Sequence, residues 1–399
     1  MYDLSATYLE GRTCPLAKLG YPRGSKKGKL QINFGLLANA EGCPVAIQVY
    51  HGNVADPSTV ADQVAKIRDE FALDEVVLVG DRGMLTAARI REDLDPNDVK
   101  WITSLRAPQI KKLATAGAFQ MSLFDSKDLA EITHSSFPGE RLIVCKNPLL
   151  QAERERKRNA MLDATERKLE KVRLATKRQS RPLRGKDKIG VRIGRVLERT
   201  KMGKHFCLDI QDGGFTYRRD HENIEREAAL DGLYIIRTNV SSEKLDAVEV
   251  VRAYKNLQKV ERAFRSLKTV DLHIRPVHHR TENRVRAHIF LCMLAYYIQW
   301  HMRARLAPIL FDDHDKSTEE SKGKSVVAPA QRSDSALRKA AEQYTEDGLP
   351  IHSFQTLLAD LATITKNHIA SEESSLEFDR ITRPTRLQKR ALDLLNVSL

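Results

Sequence analysis

Val76-Val77-Leu78-Val79-Gly80-Asp81-Arg82-Gly83 is a short, unbroken apolar run that stops at a glycine and a carboxylate. Four consecutive β-branched or leucine side chains leave no polar face, so the run predicts a strand buried on both sides. Upstream, Asp56 and Pro57 read as the N-cap and first position of a helix that carries Val60, Val64 and Ile67 at helical spacing through Phe71. Before that helix come three strands. The first is Tyr2 to Leu9, and a basic turn through Tyr21-Pro-Arg-Gly-Ser-Lys-Lys-Gly28 leads to the second, Lys29 to Ala38. Asn39-Ala-Glu-Gly-Cys-Pro44 then turns into Val45 to Tyr50, as consecutive hairpins do. Downstream, another helix precedes Trp101-Ile-Thr-Ser-Leu105, a fifth strand.

Three antiparallel strands, a crossover helix and a parallel strand are the order of an RNase H-like α/β fold, a mixed five-stranded sheet with flanking helices. That order sets the first and fourth strands side by side and brings Asp3 near Asp81. Between Ala107 and about Val240 the periodicity changes. Gln151 to Gln179 reads as a highly charged helix, and Arg154 through Lys201 is dominated by Arg and Lys. Strand-like runs flank it at Arg141 to Cys145, His205 to Ile210 and Leu233 to Thr238. The chain therefore divides into residues 1–107, the first part of the core; 108–240, an inserted, partly β subdomain with a basic helix; 241–305, the rest of the core; and 306–399, a linker followed by a helical tail. The linker is the polar, apolar-poor stretch 312–336.

In the returning core segment, Ser241-Ser242-Glu243 reads as the cap of a helix containing Tyr254-Lys-Asn-Leu-Gln-Lys-Val-Glu261-Arg-Ala-Phe-Arg-Ser-Leu-Lys268. Steps of seven set Tyr254, Glu261 and Lys268 on one helical face, a carboxylate between two groups able to hold a phosphate. With Asp3 and Asp81 it makes a set of three acids. Hard divalent cations take oxygen ligands, and metal-assisted phosphodiester cleavage needs a few carboxylates converging on them. Taken singly, each acid has a plainer reading: Asp81 as a turn aspartate, Asp3 as a strand-edge carboxylate, Glu261 as the i,i+4 partner of Arg265. A second helix runs from about Glu282 to Arg303, and its Phe290, Leu294 and Tyr297 read as core. His273, His278 and His279 lack acids or cysteines at ligand spacing and do not read as a metal site.

The chain has 399 residues, enough for a large apolar core, and a formal charge of +13 that favours an anionic partner. Its five cysteines, Cys14, Cys43, Cys145, Cys207 and Cys292, are far apart and form no metal-binding spacing, so they read as reduced cytosolic thiols. The most apolar stretch, Ala287 to Trp300, is too short to span a bilayer and reads as a buried helix.

Tyr254, Glu261 and Lys268 match three positions of the Y-x2-R-x3-E-x6-K signature, and the chain here resembles the DDE insertion-sequence transposases. The blocks Tyr2-Asp3-Leu-Ser-Ala-Thr, Gly52-Asn53-x-x-Asp56-x-x-Thr59, Val79-Gly-Asp81-Arg-Gly-Met and Asp231-Gly-Leu-Tyr-Ile-Ile-Arg-Thr-Asn239 are similar to the family's other blocks, in the expected order, over residues 1 to about 300. The resemblance implies an RNase H-like core with a mainly β insertion before the glutamate. It implies that Asp3, Asp81 and Glu261 bind two Mg²⁺ or Mn²⁺ ions for nicking and strand transfer at transposon ends. It further implies that Tyr254 and Lys268 contact phosphates, that DNA (terminal inverted repeats and target) is the partner, and that the DNA-bound state is a homodimer at the bacterial nucleoid, in the cytoplasm and away from membrane. Leu257 stands where the signature has arginine, and Arg265 is the substitute phosphate contact. Family members carry a DNA-binding region before the first catalytic strand, so the short lead before Asp3 reads as an N-terminal truncation. Two other readings compete: a non-catalytic inhibitor that binds DNA or a full-length transposase, and an RNase H-like nuclease turned to other substrates.

Overall fold

The computed structural model describes residues 1–21, 28–120, 124, 128–270, 272–313, 326–327, 332–370 and 377–399. Most of the basic turn before Gly28 and of the polar stretch 312–336 therefore lies outside the described residues. The chain divides into two compact units, one of Met1–Ser104 with Thr238–Leu399, the other of Leu105–Arg237.

The first unit begins with β1 (Tyr2–Tyr8), β2 (Gln31–Ala38) and β3 (Pro44–His51), joined antiparallel in the order β1-β2-β3. Every residue of β2 is buried. Gly35 of β2 lies under the Tyr2 ring: a Cβ there would come within 2.3 Å of the Tyr2 hydroxyl. That hydroxyl donates to Thr59 Oγ1 at 2.9 Å, so the glycine keeps a buried tyrosine satisfied as well as packed. Next come α1 (Val60–Ala65), β4 (Val77–Val79), α2 (Ala87–Arg89) and β5 (Lys100–Ser104). A 3₁₀ turn, Asp56–Thr59, precedes α1, and its N-cap is Ala55, one residue before the expected Asp56. Of the apolar run at 76–79, Val77–Val79 form a strand parallel to β5, with Leu78 and Val79 buried and Val77 partly so. One cluster joins Tyr2 and Leu4 of β1, Val60 and Val64 of α1, Leu78 of β4 and Trp101 of β5.

The sheet containing β4 has the order β4-β5-β10-β7-β6, with β6 (Leu129–Ile132), β7 (Arg141–Lys146) and β10 (Leu233–Thr238). β4 pairs parallel and β6 antiparallel, so the sheet is mixed, and the α/β fold with flanking helices is RNase H-like. Its membership departs from the expected one. Among the described ladders β1 pairs with β2 alone and β4 with β5 alone. β4 has only three residues and pairs with β5 along one edge, which the following Gly80 N–H extends by donating to Ile102 O. Asp3 lies in β1 and Asp81 in the turn after β4, and these two strands share a core cluster, not a ladder.

The second unit corrects the mainly β expectation. Helices α3 (Ala107–Thr115), α4 (Pro148–Thr176), α5 (Lys186–Thr200) and α6 (His221–Ala228) outweigh strands β6, β7, β8 (Phe206–Gln211), β9 (Gly214–Arg219) and β10, none longer than six residues. α4 runs for 29 residues and starts with the Asn147 side chain accepting from Leu149 N and Leu150 N. α4 and α5 can stay highly charged because each buries a sparse stripe, Leu162, Leu169 and Val172 on one and Ile189 and Ile193 on the other, around Phe206 and Phe215 of the β8–β9 hairpin. A second cluster joins Leu142, Val144, Leu233 and Ile235 to Ile110 and Leu113 of α3.

Back in the first unit come α7 (Ala247–Lys255), α8 (Leu257–Arg265) and α9 (Glu282–Leu306). The remainder holds α10 (Asp334–Glu342), α11 (Phe354–Leu361), a hairpin of β11 (Lys366–Ala370) and β12 (Glu377–Ile381), and α12 (Arg386–Leu395). A tail expected to be helical therefore also carries a hairpin. Leu306, Ile309, Phe354, Leu357, Leu387 and Ala391 form its core at the end of α9. No helix among the described residues is long and apolar enough to cross a membrane.

Candidate functional site

Asp246, not Ser241, caps α7: its carboxylate accepts from Glu249 N at 2.7 Å while Glu249 returns a carboxylate to Asp246 N at 2.8 Å. This reciprocal box satisfies two end donors at once, which Ser241 cannot do. The Ser241 carbonyl instead accepts from Lys244 N and Leu245 N in the preceding turn. The expected single helix is also interrupted. α7 ends at Lys255, α8 starts at Leu257, and a π turn covers Ser266–Val270. Steps of seven are therefore not equal rotations, and each of the three signature side chains has to be placed individually.

Tyr254, near the end of α7, is half-buried, and its phenol oxygen lies 2.7 Å from Ser104 Oγ at the end of β5. Burial raises its pKa, the Ser104 hydrogen bond lowers it, and the neighbouring charges of Asp81 and Glu261 raise it while Arg82 lowers it. The phenol thus lies within electrostatic reach of two of the three candidate acids.

α8 buries Val260, Ala263 and Phe264 and turns Glu261, Arg262 and Arg265 to solvent. It packs on β1, and Phe264 meets Phe34 edge-on at 5.6 Å. Just beyond, Lys268 Nζ lies 5.5 Å from the Phe264 ring centre and 6.0 Å from that of Phe34, with Ser5 Oγ as its hydrogen-bond partner. Ser5 stands opposite Phe34 and Asp3 opposite Leu36. Alternation along β1 puts Asp3 and Ser5 on one face, the face that meets Lys268.

Asp3 is half-buried and its Oδ1 accepts from Leu4 N at 2.8 Å. Asp81 is exposed, and its Oδ1 accepts from Gly83 N at 2.9 Å and Met84 N at 2.7 Å. Asp81 is thus a turn aspartate, but only one of its oxygens is spent on the turn. Glu261 is exposed, and among the described residues no salt bridge joins it to Arg265. Arg265 is exposed at the last position of α8.

Three carboxylates suit a hard divalent cation chemically. Asp81 Oδ2 and the Glu261 carboxylate both have lone pairs to give. Among the described residues, however, no group of three or more His, Cys, Asp or Glu is gathered closely enough to hold a metal ion. That covers the His273, His278 and His279 group as well. Sequence reasoning missed the two serines that hold Tyr254 and Lys268. Ser5 had a signal, since it lies two residues from Asp3 on the same strand face; Ser104 meets Tyr254 across 150 positions of sequence, and no local pattern marks it.

The second unit carries most of the charge. Residues 148–201 contain eighteen lysines and arginines against seven aspartates and glutamates, eleven of the chain's thirteen net positive charges. Several of the acids are already engaged. Asp163 and Glu166 bond Arg219 of β9, Glu170 bonds Arg173, and Glu153 pairs with Lys157. In the segment joining α4 to α5, no salt bridge involves Lys177, Arg178 or Arg181 among the described residues, and Lys177 acts on Glu170 only through its field.

The model of a family described as "Transposase DDE domain" matches residues 12–298. Asp81, Tyr254, Glu261, Arg265 and Lys268 fall inside the match and Asp3 just before it. No curated protein matches the chain.

Proposed function

Since the chain belongs to the DDE transposase family, we propose that it nicks DNA at the ends of an insertion sequence and joins the freed 3′-hydroxyl to target DNA, with two copies acting on paired ends. The observation that carries this reading is the Tyr254 phenol, bonded to Ser104 and electrostatically coupled to Asp81 and Glu261. Two Mg²⁺ or Mn²⁺ ions held by Asp3, Asp81 and Glu261 would supply charge stabilisation at the attacking and leaving oxygens of a phosphodiester displacement. The remaining roles belong to the chain. Tyr254, kept protonated by burial, gives its hydroxyl hydrogen to a phosphate oxygen when DNA displaces Ser104. Lys268, held over two phenylalanine rings, presents a point charge to a second phosphate. Arg265 takes the phosphate contact that the signature arginine makes elsewhere in the family. The stretch 148–201, α4 and α5 with their connector, carries the sequence-independent part of DNA affinity, because its cations outnumber its acids more than two to one.

The test is Mn²⁺-dependent nicking of a duplex ending in the terminal inverted repeat. Asp81→Asn or Glu261→Gln abolishes it, and undiminished nicking by either variant sinks the site assignment. Because the three acids are not gathered into a ligating group, a second reading is an inhibitor that binds DNA or a full-length transposase without cutting. DNA binding with no cleavage, the same in the chain and in Asp81→Asn, selects it. Nicking with no strand-transfer product selects a nuclease.

A further inference from the structure

α9 is apolar on two sides, and the first unit covers only one of them. Val285, Ile289, Met293 and Tyr296 are buried, on the side that packs against β3 and α12. Phe290, Leu294 and Tyr297, expected in the core, are 51%, 40% and 41% exposed, and beside them Leu291 and Ile298 are 60% and 53% exposed. At 100° per residue these five side chains form one stripe centred on Leu294. No Asp, Glu, Lys or Arg occurs from Ala287 to Met302; charge enters at the ends, with Glu282, Arg284 and Arg286 before and Arg303 and Arg305 after. A helix apolar on two sides calls for burial on both, and among the described residues this second side stands exposed.

We infer that the cover is the α9 of a second copy of this chain, laid antiparallel across a two-fold axis at Leu294. The sequence is self-complementary about that residue. Three positions either side stand Leu291 and Tyr297, four positions either side Phe290 and Ile298, all large and apolar. A two-fold axis therefore sets Leu294 against its own copy, Leu291 against Tyr297 and Phe290 against Ile298. An isologous interface requires this self-matching, and an uncharged stripe brings no like charges together at its centre.

Area sets the strength. Aromatic side chains bury about 150–250 Å² each, so five large side chains near half exposure leave on the order of 400 Å² of apolar surface, the size at which a monomer's largest patch marks a partner site. Two copies remove about 800 Å² by this stripe alone, close to the ~1,000 Å² at which specific interfaces begin once a polar rim is added. The pairing is therefore modest by itself and is reinforced when DNA holds two copies together. The inference names the surface used by the two-copy arrangement proposed above and is independent of the chemistry.

Sedimentation velocity on the full chain, alone and with the terminal-repeat duplex, reads the association directly. The unsubstituted chain sediments as a dimer with DNA and as a concentration-dependent mixture without it. Leu294→Glu raises the dissociation constant more than roughly thirtyfold, and since Leu294 is 40% exposed the melting temperature stays the same when both chains are compared as monomers, below the dissociation constant. Leu294→Cys gives a second readout without disrupting the face. Oxidation with diamide joins the two introduced thiols, identified by peptide mass above the background of the native cysteines. A chain that stays monomeric with and without DNA overturns the inference. So does a dimer that Leu294→Glu leaves intact, or a monomer that binds phosphatidylglycerol vesicles through this face. Dimerisation without nicking leaves the inference standing while the transposase chemistry fails; nicking by a strict monomer does the reverse.

Discussion

Helices α8 and α9 both belong to the first unit and both bury a stripe at helical spacing, Val260, Ala263 and Phe264 on one and Val285, Ile289 and Met293 on the other. Their outer faces differ. α8 presents Glu261, Arg262 and Arg265; α9 presents Phe290, Leu291, Leu294, Tyr297 and Ile298. Burial of the inner stripe holds each helix in place, so the outer face is available for something else. A polar face with an uncompensated carboxylate suits ions and phosphates, whereas an uncharged apolar face suits another apolar face. The contrast separates chemistry from assembly along one short stretch of chain.

Glu261→Gln is the strongest way to break that separation. It removes one charge from an exposed side chain for which the described residues hold no salt bridge, so thermal unfolding shifts by less than about 0.5 kcal/mol. On the proposed role of Glu261 as a metal ligand, Mn²⁺-dependent nicking falls by roughly a thousandfold or more. A drop in both melting temperature and activity makes Glu261 structural and erases the distinction between the two outer faces.

Phe264→Ala tests the inner face of α8. The ring is buried against Phe34 and lies beneath Lys268, so its loss costs about 3–5 kcal/mol in unfolding free energy by urea titration. A loss below about 1 kcal/mol shows that α8 is not anchored through Phe34.

How far the sequence foretold all this depends on whether the determinant was local. Val76 to Val79 announced a strand because an unbroken apolar run has few other uses, and the helix expected from about Glu282 to Arg303 is α9, which runs on to Leu306. Which side of α9 the first unit covers was not legible, since an apolar residue looks the same in sequence whether its partner lies in the same chain or in another. The turn geometry of Asp81 was readable from Gly80-Asp81-Arg82-Gly83. Its nearness to Tyr254 arises from packing between distant segments, and only the family resemblance anticipated it. The insertion was misjudged because its short strands have local signatures, whereas α5 shows little more than Ile189 and Ile193 at i,i+4.

Tyr254→Phe removes only the hydroxyl bonded to Ser104. Loss of one hydrogen-bond donor to a phosphate in the transition state corresponds to about a tenfold lower nicking rate. The pH dependence has a definite sign. Burial raises the phenol's pKa above the ordinary value near 10, so the proton is held throughout neutral and mildly alkaline conditions. The ratio of wild-type to variant rates is therefore flat from about pH 7 to 9 and declines only where the phenol deprotonates, above its ordinary range. A ratio that falls toward one below that range shows that Tyr254 loses its proton early and removes it as the donor.

Asp246→Ala asks whether the polar face of α8 depends on the cap of the helix before it. The substitution deletes one half of the box with Glu249 and costs about 1 kcal/mol in a urea titration. Because α7 and α8 are separated at Asn256, fraying the start of α7 moves Tyr254 only weakly, and nicking changes by less than about threefold. A larger drop means that the two helices act as one rigid element despite the break.

Phe290→Ala has the smallest effect on the fold and completes the comparison with Phe264→Ala. The same side chain is deleted from the outer face of α9, where it is already half exposed, so unfolding of the isolated chain shifts by no more than about 0.5 kcal/mol. If α9 pairs with its copy, the effect appears in association instead, as a dissociation constant raised roughly tenfold in the same sedimentation measurement. The two phenylalanines then report different equilibria, folding for the one on α8 and assembly for the one on α9. If Phe290→Ala lowers stability as much as Phe264→Ala does, the outer face of α9 is already covered within its own chain, and exposure of its apolar stripe no longer argues for a second copy.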